Sequence, residues 1–400
     1  MKILDAPLRR VLLSRLERIE QGRLRVTGAG SGDVSFGRTA SPAAAIEVKD
    51  PRFWRAAALG GSVGAAEAYV GRLWECDDLA SLVRILVRNR SVLDGIDGGL
   101  SKLRAPFRLF AHALRRNTRA GSRRNVGAHY DLGDDFFSLF LDDTLTYSCA
   151  VFERPDATLR DASIAKYESL CRKLALSRGD RVIEIGTGWG GLAIHAAQAY
   201  GCSVTTTTIS RKQFDFARRR VSDLGLSDRV TVVERDYRDL EGRFDKGVSI
   251  EMIEAVGHDF LGAYFAKCAS LLDDGGLFAL QAITLPDREY DRARREVDFI
   301  KKLVFPGSCI PSVTALASAA SLSSDLRLVR LDDIGEHYAE TLRLWRERLV
   351  ARRAEAIALG YPDSLVRLFE FYFAYCEGGF AEGVLSDVQM VFERPRGWAP

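Results

Sequence analysis

The sequence predicts an α/β protein, a doubly wound and mostly parallel sheet wrapped by helices, with a smaller N-terminal domain. Three observations carry that prediction. From residue 181 onward, apolar runs of strand length at 182–185, 203–208, 230–234, 246–250 and 276–283 alternate with helical stretches, the pattern of a parallel sheet covered on both faces. The first run opens into the glycine-rich turn Gly186-Thr187-Gly188-Trp189-Gly190-Gly191 and then a helix, at the edge where such sheets take their ligands. Ahead of this region, residues 8–93 read as a body of their own.

Within that body, Leu8, Leu12, Leu16 and Ile19 recur at helical spacing with Arg9, Arg10, Arg15 and Arg18 on the flanks. The spacing predicts a basic amphipathic helix over 8–20, packed on its own domain in preference to a membrane surface. Residues 26–50 are rich in Gly, Ser and Ala with short β-like runs such as Ile46-Glu47-Val48, and 52–93 read as helical, with Phe53, Trp54, Tyr69 and Trp74 on the apolar face. A domain over 1–100 follows. The segment 101–125 carries Lys102, Arg104, Arg108, Arg115, Arg116, Arg119, Arg123 and Arg124 and no acidic residue, and reads either as a solvated linker or as a patch for anionic headgroups. No nucleic-acid module accompanies it. The remainder, 126–400, forms the larger domain. After Thr284 the strand pattern breaks at Pro286, Pro306, Gly307 and Pro311, an insertion over about 285–322. Strand character resumes at 326–331 and 388–394, with helices at 338–358 and 362–377 between them.

Composition bounds the function. A net charge of +3 is too small to argue for nucleic acid. Seven scattered cysteines without a C-x-x-C pair argue against a disulfide framework or a zinc site, so no metal is expected and the compartment reads as reducing. Charged residues interrupt the apolar start, and no apolar span of about 18 residues appears elsewhere. The expected location is cytoplasmic.

The candidate site gathers around the glycine turn. Gly186, Gly188 and Gly190 let the backbone take positive φ and approach a ligand closely. Glu184, at the strand end, is placed to orient polar groups; Thr208, Ser210 and Gln213 offer hydroxyl and amide partners after the second strand; Asp236 and Tyr237 follow the third, suited to an adenine amino group and ring face. A dinucleotide fits a lone G-x-G equally well, but Thr205–Thr208 stands where a dinucleotide enzyme puts its ribose-binding acid.

Five motifs occur in one order: His129-Tyr130-Asp131-Leu132-Gly133, Thr146-Tyr147-Ser148-Cys149-Ala150, residues 184–191, Asp236-Tyr237-Arg238-Asp239, and Phe305-Pro306-Gly307 with Pro311-Ser312. Over about residues 120–395 the chain resembles the cyclopropane fatty acid synthase family. The resemblance implies a seven-stranded, Rossmann-like class I methyltransferase sheet, S-adenosylmethionine as methyl donor, and the double bond of an unsaturated phospholipid acyl chain as acceptor. It makes the N-terminal domain an accessory, lipid-presenting one. It further implies peripheral contact with the anionic inner face of a membrane, and it admits a homodimer. Carried over, Gly186, Gly188 and Gly190 line the donor site together with Tyr130 and Ser148; Thr208, Ser210 and Gln213 take its ribose side, and Asp236 and Tyr237 its adenine. The family holds a bicarbonate ion as base, and its holders here are Cys149, Glu254, Ile283 through its backbone, and Tyr338. Two positions often filled by His are Ala255 and Gln281, and an amide hydrogen-bonds an anion without titrating near neutrality. Glu251 stands where many members carry Gly. Tyr147, Phe305, Tyr338, Tyr372 and Phe373 are candidate wall residues for a cationic acyl chain, and Cys149 reads as a hydrogen-bonding group in preference to a nucleophile. The expected product is a cyclopropane fatty acid. The alternatives are a methyl- or methylene-branched chain, suggested by Gln281 and Glu251, and a catalytically silent lipid-binding module.

Overall fold

The computed structural model describes residues 5–30, 32–92, 94 and 132–397. The chain divides into two compact units, the first comprising Met1–Leu114, Arg295–Val304 and Leu342–Val384, the second Arg115–Arg294, Phe305–Thr341 and Leu385–Pro400. The basic segment 101–125 and Tyr130 lie outside the described residues.

The first unit holds β1 (Arg23–Gly28), β2 (Val34–Phe36), β3 (Ala43–Val48) and β4 (Trp74–Cys76) in the order β2-β1-β3-β4. β1 and β3 run parallel and the outer pairs antiparallel. Leu24 and Val26 of β1 and Ala44, Ile46 and Val48 of β3 alternate onto the buried face. The predicted basic helix is Asp5–Leu16, and Leu12 and Ile19 are buried within the domain. The helix Asp363–Ala381, which the sequence boundary at 126 placed with the larger domain, belongs to this unit. Its aromatic face accounts for that: Phe371 meets Tyr69 at 5.5 Å and Phe299 at 5.0 Å. Arg367, only 3% exposed, donates to the Tyr69 carbonyl at 2.7 Å and to the Glu75 carboxylate at 3.1 Å. Tyr372 and Phe373 lie on the same helix, packed with Phe369 and, for Phe373, Trp345.

The second unit is built on seven strands, β5 (Arg181–Ile185), β6 (Ser203–Thr208), β7 (Val230–Glu234), β8 (Phe244–Ile250), β9 (Leu272–Thr284), β10 (Arg327–Asp333) and β11 (Ser386–Glu393), in the order β10-β11-β9-β8-β5-β6-β7. β5 to β9 are mutually parallel and β11 runs antiparallel to both its neighbours. Strand order reverses at β5, which lies between β6 and β8, so its C-terminal end is the switch point of the sheet. Successive β5 side chains serve opposite faces. Ile183 and Ile185 join Phe265, Leu280 and Phe392 on one side, while Val182 joins Leu170, Leu192 and Val248 on the other.

A capping box between Thr158 and Asp161 starts the helix Leu159–Lys173 on that second face. The helix carries Tyr167 to the glycine turn, where its hydroxyl bonds Thr146 and lies against Gly191. A Cβ at Gly191 would overlap that hydroxyl, the end of a stiff ring without room to swing. Gly191→Ala is therefore expected to cost about 1–3 kcal/mol, read as a lower midpoint in urea unfolding, and to weaken donor binding by displacing the Thr146 loop.

Candidate active site

Two clusters form at the C-terminal edge of the second sheet. The first follows β5, β6 and β7. Gly186, Gly188 and Gly190 take φ of 104°, 52° and 88°, values that only glycine adopts readily, and a Cβ on Gly188 would enter open space above the turn. The turn is tied to the next strand by the Gly186 and Thr187 amides, both donating to the Thr207 carbonyl at 3.0 Å. Glu184 is 3% exposed and its Oε2 has no hydrogen-bond partner. It borders apolar side chains, Leu170, Leu192 and Val248 among them, and burial pushes its carboxyl up to about 8, against an opposing bond from Thr206 and the Lys166 charge.

The sequence-selected hydroxyl and amide groups meet one another. Thr208 Oγ1 donates to Gln213 Oε1 at 3.0 Å and accepts from the Ser210 amide at 3.1 Å, while Ser210 Oγ caps the helix Arg211–Asp223. Asp236 is 3% exposed and is held by Arg238 through both oxygens, at 2.8 and 2.9 Å. Tyr237 lies 5.3 Å from the Tyr264 ring, with the Arg238 guanidinium 5.3 Å from its own ring centre. Arg238, which the sequence reading did not select, fixes the carboxylate beside that ring. An unpartnered buried carboxyl oxygen, an unfilled space over Gly188 and the polar groups at Thr208 and Asp236 together fit an adenosyl sulfonium donor.

The second cluster joins Cys149, Glu251, Glu254, Gln281, Ile283 and Tyr338. Glu251, at the end of β8, adopts φ of 48°, a left-handed conformation that favours glycine, and its amide donates to the Gln281 carbonyl at 2.8 Å. From there its carboxylate accepts three hydrogen bonds, from the Cys149 amide at 2.7 Å, Gln281 Nε2 at 2.9 Å and the Tyr338 hydroxyl at 2.6 Å. The Ile283 amide donates to Glu254 Oε1 at 2.6 Å, while Glu254 Oε2 is buried without a partner. The donors that the family resemblance assigned to a bicarbonate ion are thus taken by two carboxyl groups of the chain itself, and the set as it stands does not fit the ion. The Cys149 thiol is fully buried, points to the Ala150 carbonyl at 3.3 Å, and is pushed well above its ordinary range by burial. It acts as a neutral hydrogen-bonding group.

Sequence reasoning missed two members. Asp387 on β11 is fully buried and accepts from Gln281 Nε2 at 2.9 Å. Burial first, then the charges of Glu251 and Glu254, hold its carboxyl well above the usual range. Lys166 is 1% exposed and donates to Ser148 Oγ at 2.7 Å. Burial lowers its ammonium to about 8, against the opposing charges of Glu251, Cys149, Asp387 and Asp142. Gln389 was readable as a polar break in the apolar run 388–392, which Asp387 directly precedes; a lysine within a helix gives no such signal. Tyr147 packs on Phe137 at 5.3 Å and Phe140 at 5.9 Å.

A family model described as mycolic acid cyclopropane synthetase matches residues 117–390. The tuberculostearic acid methyltransferase UfaA1 of Mycobacterium tuberculosis is 38% identical over 341 residues, 84% of this chain and 79% of that protein. The cyclopropane-fatty-acyl-phospholipid synthase of Escherichia coli is 36% identical over 359 residues, 88% of this chain and 89% of that one. Among solved structures, mycolic acid cyclopropane synthase CmaA1 complexed with SAH and CTAB superposes with a TM-score of 0.64 at 33% identity, covering 68% of this chain and 98% of that one.

The buried carboxyls fix a pH response. Glu184 and Glu254 both rise from 4.5 to about 8 on folding, chiefly by burial, so the folded protein keeps two protons that the unfolded chain releases. Their stabilising protonation is complete below about pH 4.5 and is lost as pH rises towards 8. The thermal midpoint of the donor-free protein should therefore fall between pH 5 and pH 8, by at most about 1.4 kcal/mol per pH unit for each group, and Glu254→Gln should flatten that slope. Gly188→Val should abolish donor binding by calorimetry and leave the midpoint lower.

Proposed function

Because this chain belongs to the mycolic acid cyclopropane synthetase family and is an S-adenosylmethionine-dependent methyltransferase, we propose that its acceptor is the double bond of an unsaturated acyl chain in a phospholipid, and its product a cyclopropane fatty acid. The observation that carries this reading is the pair of carboxyl groups, the half-buried Glu251 and the buried Glu254, beside the donor cluster on the edge of one sheet. Methyl transfer to an alkene leaves a carbocation, and a ring closes only when a proton leaves the newly added methyl group. A methyltransferase that acts on an oxygen or nitrogen nucleophile takes any proton from the nucleophile itself and needs no base beside the transferred methyl.

The donor supplies an activated methyl on its sulfonium. Everything else falls to the chain. Gly186, Gly188 and Gly190 admit the donor close to the backbone, and Asp236, oriented by Arg238, takes the adenine side with Tyr237. An alkene is a weak nucleophile, so rate comes from holding its π bond in line with the methyl in a dry site. The neutral Cys149 thiol and the ring of Tyr147 keep that site free of competing nucleophiles and water. Once the cation forms, its charge is stabilised by ring faces and by the carboxyl groups below. The supporting relatives are lipid enzymes by name.

A methylene- or methyl-branched product is the second reading, favoured by Glu251 where many members of the family carry Gly and by Gln281 at a position often filled by His. In that case the cation rearranges before the proton leaves, and a double bond forms in place of the ring.

The phospholipid fatty acid profile of a host lacking its own synthase, with and without this gene, tests both. Cyclopropyl proton signals and a gain of one methylene establish ring closure; an isomer that takes up hydrogen establishes the branched product. No new lipid overturns the acceptor. Glu254→Gln is expected to lower turnover on the order of 10²-fold while donor affinity changes little.

A further inference from the structure

The anion site of this enzyme is filled from within. Three donors on three separate segments, the Cys149 amide, Gln281 Nε2 and the Tyr338 hydroxyl, converge on the two oxygens of one side chain, at 2.7, 2.9 and 2.6 Å. That side chain grows from a residue at φ of 48°, a left-handed conformation that strains a non-glycine residue. A carboxylate kept at a strained position and bound by three convergent donors is placed for a purpose.

We propose that Glu251 is the general base of the reaction, taking the proton for which the family resemblance implies a bound bicarbonate ion. The assignment rests on the methyl-transfer reading above and deepens it. In the step, a C–H bond of the newly added methyl breaks, its electron pair closes the bond to the cationic carbon, and the proton passes to a Glu251 oxygen. The neutral acid returns that proton to water after the product leaves. Gln281 Nε2 also donates to Asp387 at 2.9 Å, so the amide bridges the two acids and holds them apart in role. Burial and the neighbouring Glu251 and Glu254 charges hold the Asp387 carboxyl well above the usual range, so Asp387 favours its protonated form. An imidazole at position 281 would compete for the proton; an amide does not titrate.

The test uses the full-length enzyme, S-adenosylmethionine and vesicles of dioleoyl phosphatidylglycerol, in buffer stripped of carbon dioxide and in the same buffer with bicarbonate restored. The wild-type rate is expected to agree within about twofold between the two. Glu251→Gly, which also suits the backbone at that position, should lose on the order of 10²-fold without bicarbonate and recover most of it when the ion is added. Glu251→Gln, which keeps the space filled but accepts no proton, should be slow in both. Donor binding by calorimetry and the thermal midpoint show that each variant is folded. A wild-type enzyme that works only with bicarbonate, or a Glu251→Gln variant that keeps its rate, overturns the assignment alone. A wild-type enzyme that binds donor yet methylates no lipid in either buffer overturns the acceptor reading, and the assignment falls with it.

Discussion

The carboxylate of Glu251 is the tie on which the second unit's chemistry depends. Its three bonds join the loop before the helix Leu159–Lys173, the strand β9 inside the sheet and the helix Glu336–Ala351, segments that are far apart in sequence. Hydrogen bonds to a carboxylate are roughly twice as strong as neutral ones, so this half-buried group rewards closure of all three segments around it. Lys166, bonded to Ser148 one residue before Cys149, supplies a balancing positive charge in the same interior. The Gln281–Gln389 bond at 3.0 Å extends the network across to β11. Substituting any member therefore reaches the others, and the cluster is best regarded as one unit of charge and hydrogen bonding.

The donor cluster obeys a different constraint, the geometry of parallel strands. β5, β6 and β7 end side by side, and each is followed by the residue type its position needs: glycine where the backbone must turn left-handed, a hydroxyl where a helix must be capped, an acid where the chain tightens into a short 3-10 turn. Binding groups thus double as terminators of secondary structure. That economy explains why Thr208, Ser210 and Gln213 are already engaged with one another while lining the same edge.

Much of this was legible in the sequence because periodicity reports burial. The runs at 203–208 and 230–234 are β6 and β7 to the residue, and the glycine turn lies where β5 ends. The second cluster was legible only through family likeness, as a set of donors awaiting an ion. Its occupant was visible as an oddity at Glu251 but not as an answer, since nothing in a linear text tells that Gln281, Tyr338 and Cys149 point at one atom pair. Lys166 was hidden for the reverse reason. A lysine in a helix is ordinary, and only the fold reveals that it has 1% of its surface exposed. The larger domain's boundary also escaped, because the aromatic periodicity of 363–381 marks a buried face without naming the surface that buries it.

That boundary bears on how the polypeptide is made. The first unit needs Arg295–Val304 and Leu342–Val384 as well as the N-terminal stretch, so it is discontinuous in the chain and interrupts the second unit twice. A ribosome delivers residues from the N-terminus onward, and domains ordinarily fold in that order. Here neither unit is complete until its late segments emerge: β1 to β4 wait for Arg367 to bond Tyr69, and β9 waits for β11. The nascent protein carries two unfinished apolar surfaces until Leu342–Val384 and β11 have emerged, and no single cut between residues separates one whole unit from the other.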